Sequence, residues 1–317
     1  MSPRRGSRSL GSVFSRRTLV WVAVIVVVLV IVDVLLVALA LARTAPTSNG
    51  TTGPVPTFSS KPMPTPSTSA KPSGSATADP AGMVTPGRRL LSAVDSLEAW
   101  RASGGMCGGT NGVLEHTVDG GATWTAVGLG AETGAVLALR AGTENVSVIV
   151  ASGDDCEPRA STSTDDGTTW QPGASGAAGA GIGPDGLLLS SGTVDSPCVD
   201  PIEAFQGERT TAVVCSQAVQ WRTGTTAWVE VPVKGVRSLA VNGSSYTLAR
   251  SGADVCGGVQ IVSMPASDVT AATTVTPIGC ADDADAEDPI VLTRAGAAVW
   301  LWAGDDVLVS GDGGVTW

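Results

Sequence analysis

The chain has 317 residues, with 40 Gly, 19 Pro, 4% aromatics and 15% charged side chains, against about 25% charged in ordinary soluble domains. Its formal net charge is −10, and His116 is its one histidine. That balance excludes a generic nucleic-acid binder, which needs a basic surface to release counterions, and argues against a multi-histidine metal centre or a histidine-based triad.

Residues 1–17 carry Arg4, Arg5, Arg8, Arg16 and Arg17, and residues 18–42 follow as an apolar stretch broken by Asp33. As a helix that stretch measures about 37 Å, enough to cross a hydrocarbon core of about 30 Å with some tilt. A secretory signal uses a shorter apolar run of about 7–15 residues, so a retained anchor is expected, although Ala38–Ala42 (A-L-A-L-A) has the form of a cleavage site. The arginines before the span place residues 1–17 in the cytoplasm and everything after Arg43 outside, a single-pass plasma-membrane topology. A central Asp costs about 2.5–3.5 kcal/mol on insertion scales, which the surrounding aliphatics absorb. Asp33 therefore reads either as a contact with another membrane helix or as a tolerated, protonated carboxyl.

Residues 43–87 are more than half Ser, Thr and Pro and lack apolar periodicity, as expected of an extended linker. Residues 88–317 form the exported head. Eight of the nineteen Lys and Arg precede residue 88, leaving eleven against 27 Asp and Glu, so the head carries a net −16. All six cysteines (Cys107, Cys156, Cys198, Cys215, Cys256 and Cys280) lie in the head, and an even count outside the cell reads as disulfides. Their positions relative to the repeat described next favour 107–156, 198–215 and 256–280, with other pairings open.

Self-comparison gives the main signal. Thr117–Trp124 (T-V-D-G-G-A-T-W) recurs at Ser163–Trp170 (S-T-D-D-G-T-T-W) and at Ser310–Trp317 (S-G-D-G-G-V-T-W). Worn copies end at Trp228 and Val275, so landmarks fall 42 to 58 residues apart. In each copy the Asp (Asp119, Asp165, Asp312) and the Ser or Thr residues (Thr117 and Thr123, Ser163 and Thr169, Ser310 and Thr316) can bond free backbone groups of a hairpin turn. Gly121, Gly167 and Gly314 permit positive φ, and Trp124, Trp170 and Trp317 bury a ring beneath the turn. Between landmarks, alternating runs such as Val136–Gly142, Val146–Gly153, Val236–Asn242 and Ser245–Gly252 read as strands.

This pattern resembles the Asp-box (BNR) repeat of sialidase-like β-propellers. The resemblance implies an all-β head of four-stranded blades. Five landmarks imply five blades, with residues 81–89, through Met83–Pro86, supplying a closing strand; six blades would need more chain.

The resemblance also raises sialidase-type catalysis, which the residues support poorly. There is no Arg-Ile-Pro segment, and Tyr246 is the one tyrosine. Arg101, Arg140, Arg159, Arg237, Arg250 and Arg294 sit at equivalent strand ends, from which three can converge on the axis. The run Asp282–Asp288 offers oxygens to Ca²⁺ but lacks the spacing of a defined loop and reads as a solvated acidic turn. His116 reads as a strand residue, and Trp300 and Trp302 as core; Trp221 is open. No catalytic residue, metal site or cofactor is expected. The expected function is a membrane-anchored, non-catalytic binding or scaffold module for an envelope protein or glycan. The alternatives are a sialidase-type exo-glycoside hydrolase and an assembly factor for a membrane complex.

Overall fold

A computed structural model of the chain describes residues 88–317 apart from Gly108, Ala131, Glu132, Asp154 and Asp288. The predicted span with Asp33, the linker and Met83–Pro86 lie outside the described residues. No helix among those described is long and apolar enough to cross a membrane.

The head is all-β, in six antiparallel sheets. Blade one contains β1 (Arg89–Ala93), β2 (Ala99–Ser103), β3 (Val113–Thr117) and β4 (Thr125–Val127). Blade two contains β5 (Thr133–Ala141), β6 (Val146–Ser152), β7 (Glu157–Ser163) and β8 (Gln171–Pro172). Blade three has three short strands, β9 (Gly181–Gly183), β10 (Gly186–Leu189) and β11 (Gly192–Val194). Blade four contains β12 (Glu203–Gln206), β13 (Thr210–Val214), β14 (Val219–Thr223) and β15 (Val229–Val231). Blade five contains β16 (Val236–Asn242), β17 (Ser245–Arg250), β18 (Val259–Pro265) and β19 (Thr276–Ala281). Blade six contains β20 (Ile290–Ala295), β21 (Ala298–Ala303) and β22 (Asp306–Ser310).

The core is a set of layers between blades. Alternation sends successive side chains of a strand to opposite faces, so each blade packs on two neighbours. In blade three, Leu187 and Leu189 meet Val213 and Cys215 of blade four, while Leu188 meets Leu137 and Ala151 of blade two. Trp100, Leu114, Val136 and Val148 fill the layer between blades one and two. Tyr246, Leu248 and Met264 join blade four to five, and Ile261, Leu292 and Leu301 join five to six. Leu91 and Ala99 meet Val291, Trp300 and Trp302, which closes the ring between blades six and one. Six layers closed in a circle define a six-bladed β-propeller.

The expectation of five blades is therefore corrected to six. Each landmark residue packs in the layer before its own blade: Trp124 between six and one, Trp170 between one and two, Trp228 between three and four, Val275 between four and five, Trp317 between five and six. The layer between blades two and three has no landmark, because blade three carries neither the Asp turn nor a Trp. Its strands fit inside the longest gap between landmarks, so the available chain suffices.

Blade three also departs in direction. Ala141 N donates to Ser92 Oγ, and Ala93 N to Thr293 Oγ1, which keeps β1, β5 and β20 in step around the axis. In contrast, Gly179 packs under the guanidinium of Arg140, at the end of β5, while the Ile182 carbonyl meets Arg88, the residue just before β1. The axial strand β9 thus runs against its neighbours. Blade three is a blade without its first strand, and its second takes the axial position.

The six cysteines form three disulfides, Cys107–Cys156, Cys198–Cys215 and Cys256–Cys280, which are the pairs their positions favoured. All lie in or beside the connections at the end of the ring where β1, β12 and β20 begin. The three Asp-bearing turns lie at the opposite end.

Candidate functional site

The three turns share one hydrogen-bond scheme. The hydroxyl of Thr117, Ser163 or Ser310 donates to the Asp two residues on, at 2.7–2.8 Å, and accepts from Gly121 N, Gly167 N or Gly314 N at 2.9–3.1 Å. Each Asp also accepts from the backbone N and the hydroxyl of Thr123, Thr169 or Thr316 at 2.6–3.0 Å. These bonds favour the charged carboxylate. The Thr123 hydroxyl does most to hold Asp119 down at about 2, and the corresponding bonds from Thr169 and Thr316 lower Asp165 and Asp312. With every carboxylate oxygen engaged inside its own turn, the motif is a structural clasp.

The concave feature lies on the axis. A cavity of about 680 Å³ is walled by the inner strands of all six blades, within the range of small-ligand sites. Much of the wall is aliphatic, from Leu91, Leu137, Leu139, Leu239 and Val291, with Phe205 as its aromatic. On the blade-three side the wall is a strip of small residues, Ala178–Gly181, leading into β9, which holds the axial position that a first strand takes in the other blades.

Its polar groups divide between the two ends. Arg140 and Arg294 sit where β5 and β20 finish, whereas Arg88, Arg89, Arg237, Asp200, Glu203 and Glu287 sit toward the end where the axial strands begin. The expectation that three arginines converge is corrected accordingly: Arg140, Arg237 and Arg294 all line the cavity, but Arg237 is turned to the other end. There its Nε donates to Ser251 Oγ at 3.2 Å. Arg294 is held by Gly296 O at 2.7 Å and Thr247 Oγ1 at 3.1 Å. Arg89 donates to the carbonyls of Pro289 and Gly304 and lies over the Trp302 ring, which ties blade one to blade six. The Arg140 side chain is exposed and makes no hydrogen bond or ion pair among the described residues.

Glu203 opens β12 against the axis and accepts from Leu239 N at 2.9 Å. Burial of its carboxyl pushes it up to about 7, against the opposing pull of Ser238, Leu239 N and the charge on Arg88. A carboxyl of this kind is shared between protonated and charged forms at neutral pH. Arg88 is itself lowered by burial, with Glu203 acting the other way.

The remaining sequence candidates lie elsewhere. Arg101 pairs with Glu115 at 2.7 Å and stacks over Trp124 and Trp302; Arg250 bonds Gln260 at 2.6 Å; Arg159 is exposed on β7. Tyr246 is fully buried, its hydroxyl 3.3 Å from Thr210 Oγ1, and is not in the cavity wall. His116 bonds Glu98 at 3.1 Å and stacks on Trp100 within blade one. Trp300, Trp302 and Trp221 are core residues. In the acidic run, Asp282 meets Cys280 Sγ, a disulfide sulfur with no thiolate to offer a metal, and Asp285 caps the Glu287 amide. Asp288 lies outside the described residues. Sequence reasoning missed Arg88, Glu203 and the gap in blade three; the one available signal was an acidic residue opening the short strand E-A-F-Q.

No family model and no curated protein matches the chain. Among solved structures it is similar to a GH74 enzyme of Niastella koreensis at 13% identity and a TM-score of 0.41, covering 74% of this chain and 47% of that one. It is also similar to YCF48 bound to D1 peptide (15%, TM-score 0.30, 76% and 84% covered) and to the Hadza microbial sialidase Hz136 (14%, TM-score 0.33, 68% and 49% covered). The chain spans about half the length of the GH74 enzyme and of the sialidase. At such identities and scores the neighbours' activities do not transfer, and the propeller assignment rests on the six sheets themselves.

Proposed function

We propose that this propeller is a binding module whose axial cavity receives a ligand bearing an anionic group, displayed outside the cell on the anchor of residues 18–42 and the linker of residues 43–87. The observation that carries the reading is Arg140. It is an exposed guanidinium lining the cavity without an acidic partner among the described residues, beside a wall of Ala and Gly that lets a ligand approach closely. Arg294, on the same end, adds a second positive charge already held in place by two hydrogen bonds. Calorimetric titration with uronate, sialylated and sulfated oligosaccharides and with carboxylate-terminated peptides tests it. Binding should fall at least tenfold in Arg140→Ala and weaken with added salt. Binding that is indifferent to both changes would sink the reading.

A second reading, glycoside hydrolysis, is favoured by Glu203. A carboxyl pushed up to about 7 stays partly protonated at neutral pH and suits a general acid, and Asp200 and Glu287 supply further carboxylates to the same cavity. With Tyr246 outside the wall, such a reaction would run on carboxylates alone. Turnover of fluorogenic glycosides by the wild type, lost in Glu203→Gln, would establish this reading over the first.

A further inference from the structure

The missing strand of blade three leaves backbone acceptors facing the axis. Ile182 is opposite Leu187 in the β9–β10 pair, one residue from the hairpin's closing pair Gly183–Gly186. Alternate residues of an antiparallel strand turn both backbone groups away from their partner, so the Ile182 carbonyl points at the channel, where no strand of the described residues lies to receive it. The Pro201 carbonyl, just before β12, faces the same space, and Glu203 follows it into the cavity wall. Two carbonyls and a carboxyl make an acceptor set, and such a set calls for a donor-rich cation.

That cation is supplied in cis. Arg88 begins in blade one, crosses the channel and donates through Nη1 to Ile182 O at 3.4 Å and through Nη2 to Pro201 O at 3.5 Å. Both bonds are at the long limit for N–H···O contacts, so the guanidinium is weakly held. We propose that the Ile182 and Pro201 carbonyls, with the Glu203 carboxyl, form a binding site for a guanidinium group, which Arg88 fills as an internal occupant until an incoming guanidinium replaces it. A guanidinium presents five N–H donors in a planar fork; Arg88 uses two of them on the carbonyls, and Glu203 acts on it through its charge, with no ion pair between the two within 4.0 Å. The site lies at the opposite end of the cavity from Arg140 and does not depend on the anion-binding reading.

The test uses the full chain at pH 8, where Glu203 is mostly charged, with agmatine as probe and tetramethylammonium, which has no N–H, as control. Arg88→Ala should have a lower melting temperature than the wild type, and millimolar agmatine should restore it while tetramethylammonium does not. By calorimetry agmatine should bind Arg88→Ala at least tenfold more tightly than the wild type, and Arg88→Ala/Glu203→Gln should lose that gain. Should Arg88→Ala fail to fold, Arg88→Lys serves, because an ammonium cannot bridge both carbonyls as a fork does; agmatine must then bind it more tightly than the wild type. Equal binding by wild type and variants, rescue by tetramethylammonium, or agmatine binding that survives Glu203→Gln would overturn the proposal. Arg140→Ala in parallel should leave agmatine binding unchanged, which separates failure at this end from failure at the other.

Discussion

The indole Nε1 of Trp170 donates to the Gly128 carbonyl at 2.9 Å, so the Asp-bearing turn of blade two is hydrogen-bonded to the outer edge of blade one. The equivalent indoles of Trp124 and Trp317 bond within their own turns, to Gly121 O and Gly314 O. In all three the ring enters the layer between blades, which makes the turn a fastener between neighbours as well as a hairpin.

Gly167 shows how tight that fastening is. Its φ is +77°, and a Cβ there would collide with Val127 and come within 3.4 Å of the Trp100 ring. Gly243 has φ +56° with nothing within 4 Å of the same position. Gly167→Ala should therefore cost about 2–4 kcal/mol, combining backbone strain with overpacking, while Gly243→Ala costs about 1 kcal/mol. Urea unfolding of both variants checks the contrast, and equal losses would show that the packing argument is wrong.

The same turns predict behaviour in acid. Asp119, Asp165 and Asp312 are all lowered from 3.8 in the folded chain, Asp119 to about 2. A lowered folded-state value means that the charged form adds stability, fully present above the unfolded value of 3.8 and lost as pH falls through the folded value. Melting temperature should drop between about pH 4 and pH 2, and Asp119→Asn should flatten its share of the drop while lowering stability at pH 7.

The turns were legible because a hydroxyl, a carboxylate, a positive-φ glycine and an indole must recur at fixed offsets to close them. The disulfide pairs were legible because the cysteines keep step with the blades. Blade three was not legible: strands of three or four residues around Leu187–Leu189 need neither an Asp turn nor a Trp, so a count of landmarks passes over them. The cavity was half legible. Arg140 and Arg294 fall at equivalent finishing ends of inner strands while Arg237 falls near a beginning, and Arg88 and Glu203 come together only because the ring folds blade one across from blades three and four.

The three disulfides should differ in worth. Cys107–Cys156 spans 49 residues and joins blades one and two, whereas Cys256–Cys280 spans 24 and Cys198–Cys215 spans 17. Loop-closure entropy gives about 4 kcal/mol for the first and about 3 kcal/mol for each of the others. Paired Cys→Ala variants unfolded in urea should rank in that order, with Cys107→Ala/Cys156→Ala lowest. If Cys198→Ala/Cys215→Ala were lowest, native packing around short blade three would outweigh the entropy of the unfolded chain.

Glu203 gives the opposite pH signature to the turn aspartates. Its folded-state value of about 7 lies above the unfolded value of 4.5, so the folded chain holds the proton more tightly. That contribution is fully present below about pH 4.5 and is lost as pH rises through about 7. Glu203→Gln keeps an oxygen for Leu239 N and removes the buried charge. It should match the wild type near pH 4 and exceed it at pH 8, by at most about 3 kcal/mol. Partial exposure to the cavity and the nearby charge of Arg88 reduce that gain, so Arg88→Ala, which strips the carboxylate of its cation, should widen the difference at pH 8. Urea midpoints of the wild type, the two single variants and the double variant at pH 4, 6 and 8 measure both effects. A Glu203→Gln chain less stable than the wild type at pH 8 would mean that the ionised carboxylate, not the protonated acid, is the form the channel stabilises.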